Sequence, residues 1–227
     1  MVTEAMIAVR GETLRLLPER AVYWPRAQTL FVADVHLGKT ATHNAYGRGL
    51  PQADTADDLT RLASAIERTG AQTLVVLGDL IHAAKGRDAL TLQAFEAWRG
   101  AHPALEIRLI RGNHDRGAEA PESWRLITLE SPAMLDPFIL THAPAESESG
   151  YVLSGHLHPG VELKGRGRQL LRLPCFWFGE NAAVLPAFGG FTGLSMVRPR
   201  IGERIFAITD HSVIEVHAPQ SSNPPQP

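Results

Sequence analysis

"VADVHLGK", residues 32–39, joins an apolar run to two side chains able to bind metal. Val32 and Ala33 close the run "TLFVA" (29–33), and Asp34 and His36 follow with one residue between them. Side chains i and i+2 of a strand share a face, so a carboxylate and an imidazole project together from a strand end. In open α/β sheets, ligands bind beyond the carboxyl ends of the strands. A strand that stops at two donors therefore predicts both a fold class and the edge that carries its chemistry.

The same design repeats along the chain. "TLVVLGD" (73–79) stops at Asp79, and "EIRLIRGNHD" (106–115) runs into Asn113 and His114. "AMLDPFILTHA" (133–143) contains His142, and "YVLSGHLH" (151–158) stops at His156 and His158. The candidate ligands are Asp34, His36, Asp79, Asn113, His142, His156 and His158, all nitrogen or oxygen donors. That set is too large for one tetrahedral zinc. It suits two divalent ions sharing a bridging carboxylate. Imidazole with carboxylate accommodates manganese, iron or zinc.

Turn signals at Gly11, Pro18 and Pro25 divide residues 7–33 into short strands. Residues 55–69 predict a helix, with Leu59, Leu62, Ala63 and Ile66 on one side and Asp54 or Thr55 as cap. A second helix is expected over 88–101. From 126 onward the reading is of strands with tight, hairpin-like connections, at Asp136-Pro137, 164–168 and 209–211. An α/β sandwich of mixed sheets flanked by helices follows. No linker divides 1–217, which reads as a single domain, and 218–227 ("APQSSNPPQP") reads as a flexible tail.

The chain has 227 residues, of which 44% are hydrophobic, and a net charge of −2. No global basic field announces nucleic acid, so any polyanion must meet a local patch. The single cysteine, Cys175, rules out an internal disulfide and a thiolate-rich zinc site. No signal peptide and no membrane-length apolar run is read, so a cytoplasmic protein is expected.

The order D-x-H, G-D, G-N-H-D, H, G-H-x-H resembles the calcineurin-like metallophosphoesterase superfamily. Its pieces stand here as Asp34-Val35-His36, Gly78-Asp79, Gly112-Asn113-His114-Asp115, His142 and Gly155-His156-Leu157-His158. The resemblance implies that Asp34, His36, Asp79 and His158 hold one ion. Asp79, Asn113, His142 and His156 would hold the second, with Asp79 bridging. His114 would stay off the metals and serve as the catalytic group facing the leaving oxygen, and Asp115 would orient His114 or cap the following turn. Two-ion centres make water nucleophilic at neutral pH and clamp phosphoryl oxygens. Gly78, Gly112 and Gly155 precede ligands where backbone must crowd close to the ions. His82, three residues past Asp79, is a further candidate to line the site.

Seven stretches are similar to the bacterial ligase-associated DNA damage response endonucleases. They are "LLPERAVYWP" (16–25), "VADVHLGK", "VVLGDLIHA" (75–83), "RGNHDR" (111–116), "GHLHP" (155–159), "RLPCFWFG" (172–179) and "VLPAFGGFTG" (184–193). That resemblance implies a manganese-dependent phosphodiesterase or endonuclease acting on DNA in repair, with a DNA ligase and a helicase as partners. The rival readings are a phosphatase or phosphodiesterase of small molecules such as nucleotides, and a non-enzymatic scaffold. Lys164, Arg166 and Arg168, on an expected hairpin just after the last ligands, are the candidate DNA contacts.

Overall fold

The computed structural model describes residues 2–45, 54–83, 87–115, 117, 119–165, 169–190 and 192–217. Arg166, Arg168 and the expected tail lie outside the described residues.

The first sheet has seven strands in chain order: β1 (Ala5–Val9), β2 (Glu12–Leu17), β3 (Ala21–Trp24), β4 (Thr29–Val32), β5 (Thr73–Val76), β6 (Glu106–Ile110) and β7 (Leu126–Leu129). β1 to β4 pair antiparallel through short turns, and β4 to β7 pair parallel. Two of the parallel crossovers contain the expected helices, α2 (Asp54–Thr69) and α3 (Ala89–Ala101). Asp88 caps α3 by accepting from the main-chain N–H groups of Leu90 and Thr91. Leu59, Leu62 and Ile66 of α2 and Phe95 and Trp98 of α3 pack on Leu30, Leu74 and Ile107 of the sheet. A shorter helix, α1 (Lys39–Ala45), follows the first ligand loop directly. Its sequence, "KTATHNA", has no apolar periodicity to announce it.

The second sheet departs from the expectation of antiparallel hairpins. Its order is β14 (Ser195–Met196), β11 (Pro159–Lys164), β12 (Leu170–Phe178), β13 (Ala182–Val184), β10 (Tyr151–Ser154), β9 (Phe138–Leu140), β8 (Ala133–Leu135). β15 (Arg204–Ile208) and β16 (Val213–Val216) branch from β12. The hairpins β8–β9, β11–β12 and β15–β16 form as read. However, β9, β10 and β13 run parallel, and β7 joins the first sheet. The β9–β10 connection contains no described helix, so nothing in its sequence marks a parallel crossover.

That parallel centre positions the site. β9 leads to His142 and β10 to His156, so both emerge at one edge. A parallel bridge between Ala33 and Ala187 aligns this edge with the end of β4. Between the sheets lies one core, built from Val22, Phe31 and Leu77 on one side and Phe138, Leu153 and Phe176 on the other. Each such side chain contributes about 1.5–3 kcal/mol on leaving water.

Candidate dinuclear metal centre

The seven expected ligands meet at the shared edge. Asp34, His36 and His158 bring their donor atoms together, as do Asp79, His142 and His156. In the first group, Nε2 of His36 lies 3.3 Å from Nε2 of His158, and His158 Nε2 lies 3.7 Å from Asp34 Oδ1. In the second, His142 Nε2 is 3.0 Å from His156 Nδ1 and 2.9 Å from Asn113 Oδ1. Asp79 stands between them: Oδ1 is 3.6 Å from His142 Nε2, and Oδ2 is 3.9 Å from His36 Nε2. That placement suits a carboxylate shared by two ions.

The loops that present these groups are strained. Asp34, His36, Asp79, His156 and His158 all have φ between 49° and 71°. Left-handed backbone is uncommon for residues with a Cβ and gathers at functional sites. The neighbouring glycines are needed for close approach. A Cβ on Gly78 would stand 2.1 Å from His142 Nδ1, and one on Gly112 would stand 2.1 Å from Asp79 Oδ1. Gly155 would meet Asp34 Oδ2 at 2.5 Å.

The donors are arranged for cations. Asp34 Oδ2 accepts from the His156 main-chain N–H at 2.7 Å, while Asp34 Oδ1 is buried without a hydrogen-bond partner. His142 Nδ1 donates to the Leu77 carbonyl at 3.0 Å, which leaves a lone pair on Nε2. In neutral His142 that lone pair faces Asn113 Oδ1, so two acceptors oppose each other until a cation binds both. Burial, then Lys39 and the neighbouring histidines, pushes His36 down to about 2, so its ring is neutral, as ligation requires. Burial raises the Asp79 carboxyl above the usual range, a cost that a bound cation offsets. The residues fit a pair of divalent ions. The first group is deep, with Asp34 and His36 buried, whereas Asn113 and His156 are exposed.

Three further residues surround the centre. His114 belongs to neither of these two groups, although its ring shares a third donor cluster with His36 and His82; its Nε2 is 4.0 Å from Asp79 Oδ2, and its side chain is 39% exposed and open to substrate. His82 stacks on His114 at 4.8 Å and brings Nδ1 to 3.2 Å from His36 Nδ1. Its ring therefore helps to orient one ligand and borders the catalytic candidate. Asp115 does not take the place beside the His114 ring, the first of its two expected roles. Both its oxygens are used by main-chain N–H groups, from Asp79 at 2.8 Å, Gly112 at 2.9 Å and Ile81 at 3.2 Å. It ties two ligand loops together and is not hydrogen-bonded to the His114 ring. Sequence spacing placed Asp115 beside His114, but backbone hydrogen bonds to distant loops leave no trace in spacing. Lys164 is exposed at the end of β11, five residues beyond Pro159, the first residue after the last ligand.

The calcineurin-like phosphoesterase family model matches residues 27–138, the stretch from β4 through the GNHD loop into β9. A solved nuclease from Pseudomonas putida, MPE, is 37% identical, with 94% of this chain and 100% of that chain covered and a TM-score of 0.83. The chain belongs to the calcineurin-like phosphoesterase family. It is a metal-dependent phosphoesterase. A phosphoesterase from E. coli, Yfce, is 19% identical over 83% of this chain and 97% of its own, with a TM-score of 0.41. An Aquifex aeolicus protein of unknown function is 17% identical over 62% of this chain and 82% of its own, also with a TM-score of 0.41. No curated protein matches. Within the described residues, no helix is long and apolar enough to cross a membrane.

Proposed function

We propose that this phosphoesterase is a nuclease that hydrolyses phosphodiester bonds in DNA, using two manganese ions, in DNA repair alongside a DNA ligase and a helicase. The observation that carries the reading is the 37% identity to the Pseudomonas putida nuclease along all of that chain. The open half of the centre supports it. Asn113 and His156 are exposed, which suits a polymer lying across the edge better than a small ester enclosed in a pocket. The ligase, the helicase and the preference for manganese rest on the resemblance of the seven quoted stretches.

Asp34, His36, Asp79 and His158 would hold one ion, and Asp79, Asn113, His142 and His156 the other. When bound, the ions polarise the phosphoryl oxygens and supply a nucleophile from water at neutral pH. The protein's own groups do the rest. Leu77 fixes the tautomer of His142, His82 steadies His36, and Asp115 holds Asp79 and Gly112 in register. His114 holds the proton given to the leaving oxygen. Lys164, exposed at the end of β11, would meet a phosphate, and Arg166 and Arg168, outside the described residues, are the other candidates of that stretch.

The test is a substrate panel with manganese-loaded protein. Bis-nitrophenyl phosphate and DNA should be cut, and a phosphomonoester should not. Turnover of nucleotides or monoesters with intact DNA would replace this reading with the small-molecule enzyme.

A further inference from the structure

A cavity of about 540 Å³ is lined by none of the expected metal ligands, and Arg20, Arg61 and Arg172 stand in its lining. Its apolar wall is Pro18, Leu171, Leu173 and Pro174. Strand direction brings it to the metal edge. β2 runs opposite to β3, and β3 opposite to β4, so β2 ends where β4 ends. β12 runs opposite to β13 and β15, so β12 starts and β15 ends at that same edge. Three of the stretches that carry the family resemblance converge here. Arg20 comes from "LLPERAVYWP", Arg172 from "RLPCFWFG", and the turn behind them, Phe188-Gly189-Gly190, from "VLPAFGGFTG".

The guanidinium groups leave donors unused. Arg20 donates to the Gly189 carbonyl at 3.2 Å and makes no ion pair among the described residues. A guanidinium has five N–H donors, so one carbonyl leaves most of them for a ligand. Burial, then the nearby Arg61 charge, lowers the Arg20 pKa, as expected of two cations held close without full compensation. Arg61 pairs with Asp58 at 2.5 Å and donates to the Phe188 carbonyl, yet its Nε is buried without a partner. Arg172 is 63% exposed and meets Glu162 only at 3.3 Å. Asp210 also lines the cavity, is exposed, and is the one carboxylate among its described lining residues.

The cavity is wired to the first ligand loop. The Phe188 and Gly189 N–H groups donate to the carbonyls of Ala33 and Asp34 at 2.8 and 3.1 Å. Their own carbonyls accept from Arg61 and Arg20. One turn therefore has the metal loop on one side and the arginines on the other.

We propose that the cavity between Arg20, Arg61 and Arg172 is a second phosphate site, which holds a backbone phosphate of the DNA strand remote from the bond being cut. This rests on the nuclease reading above. Guanidinium groups bind phosphate through paired N–H donors, and the leucines and prolines accept the apolar face of a sugar or base. The site supplies the local positive charge that a chain of net charge −2 must have somewhere to hold a polyanion.

The test measures binding of a labelled single-stranded oligonucleotide in calcium, with salt varied, and cleavage in manganese. Arg20→Gln and Arg172→Gln should each weaken binding by about threefold or more at moderate salt. Each should flatten the salt dependence by about 0.7, the slope for one phosphate on a single strand. Asp210→Asn should tighten binding, a gain that mere damage to the fold would not produce. Hydrolysis of bis-nitrophenyl phosphate, which needs only the metal centre, should be unchanged in Arg172→Gln. Unchanged affinity and slope in both arginine variants would overturn the assignment. So would parallel loss of DNA and bis-nitrophenyl phosphate turnover confined to Arg20→Gln, which would mean that Arg20 only props the Asp34 loop. Thermal stabilisation by a mononucleotide or inorganic phosphate that Arg20→Gln abolishes, with DNA affinity intact, would overturn the DNA strand in favour of a free anion. Wild-type protein that hydrolyses the small diester but neither binds nor cuts DNA would sink the nuclease reading itself, and this assignment with it.

Discussion

The carboxylate of Asp115 accepts the main-chain N–H of Asp79 at 2.8 Å, across 36 residues of sequence. Because the same carboxylate holds Gly112 and Ile81, one buried side chain sets two of the loops that present ligands. The shape of the centre is thus set by main-chain hydrogen bonds as well as by the donor side chains themselves.

Asp115→Asn keeps one acceptor oxygen and turns an amide N–H₂ toward donors. Hydrogen bonds to a charged group are worth about 1.5–3 kcal/mol each, and buried N–H groups left unpaired add to the loss. Urea denaturation of the metal-free variant should show a loss of about 2–4 kcal/mol. Metal affinity should fall too, because Asp79 is no longer held at its φ of 52°. Wild-type stability with normal metal content would remove Asp115 from this positioning role.

Asp79 faces both donor groups, whereas His158 belongs to one. Elemental analysis of manganese-reconstituted protein should find two ions in the wild type. Asp79→Asn should retain fewer than His158→Ala, because the bridge serves both positions. A wild type that holds no more than one ion would end the dinuclear assignment.

His114 lies outside both groups, so His114→Ala should keep both ions. Its DNA cleavage should drop roughly 10²–10⁴-fold, the usual size of a general-acid contribution. The loss should be much smaller with nitrophenyl esters, whose leaving group scarcely needs a proton. Equal losses on good and poor leaving groups would point to charge stabilisation instead.

Glu4 is held below the usual carboxylate range, chiefly by its hydrogen bonds from Arg15 at 2.8 and 3.0 Å, with Arg68 at 2.7 Å adding to the effect. A carboxyl whose pKa falls on folding stabilises the protein above its unfolded pKa, and that contribution disappears as pH drops through the folded one. The pair is partly exposed, so solvent screening limits it to about 1 kcal/mol. Compared with Glu4→Gln, the wild type should be more stable at pH 7, and the difference should vanish in acid below the lowered pKa. A difference that persists unchanged in acid would assign the effect to packing.

The sequence by itself determined the sandwich class, the strands up to β7, helices α2 and α3, and the set of donor residues that gather at the shared edge. These were legible because each rests on local rules: alternation, helical spacing, and polar donors placed at the end of apolar runs. Asp79 as the shared carboxylate is implied by family resemblance; the structure places its oxygens between the two donor groups. Tertiary structure alone decided the parallel run of β9, β10 and β13, because register between strands far apart in the chain depends on which faces pack, not on either strand's own pattern. It also decided the place of Asp115. A carboxylate beside His114 in sequence turned away from it, toward N–H groups that only folding brings within reach, because buried main-chain donors must be paired. The arginine cavity arises in the same way. Arg20, Arg61 and Arg172 are more than a hundred residues apart at the extremes, and they share a cavity because the fold brings the β2–β3 turn, α2 and β12 together.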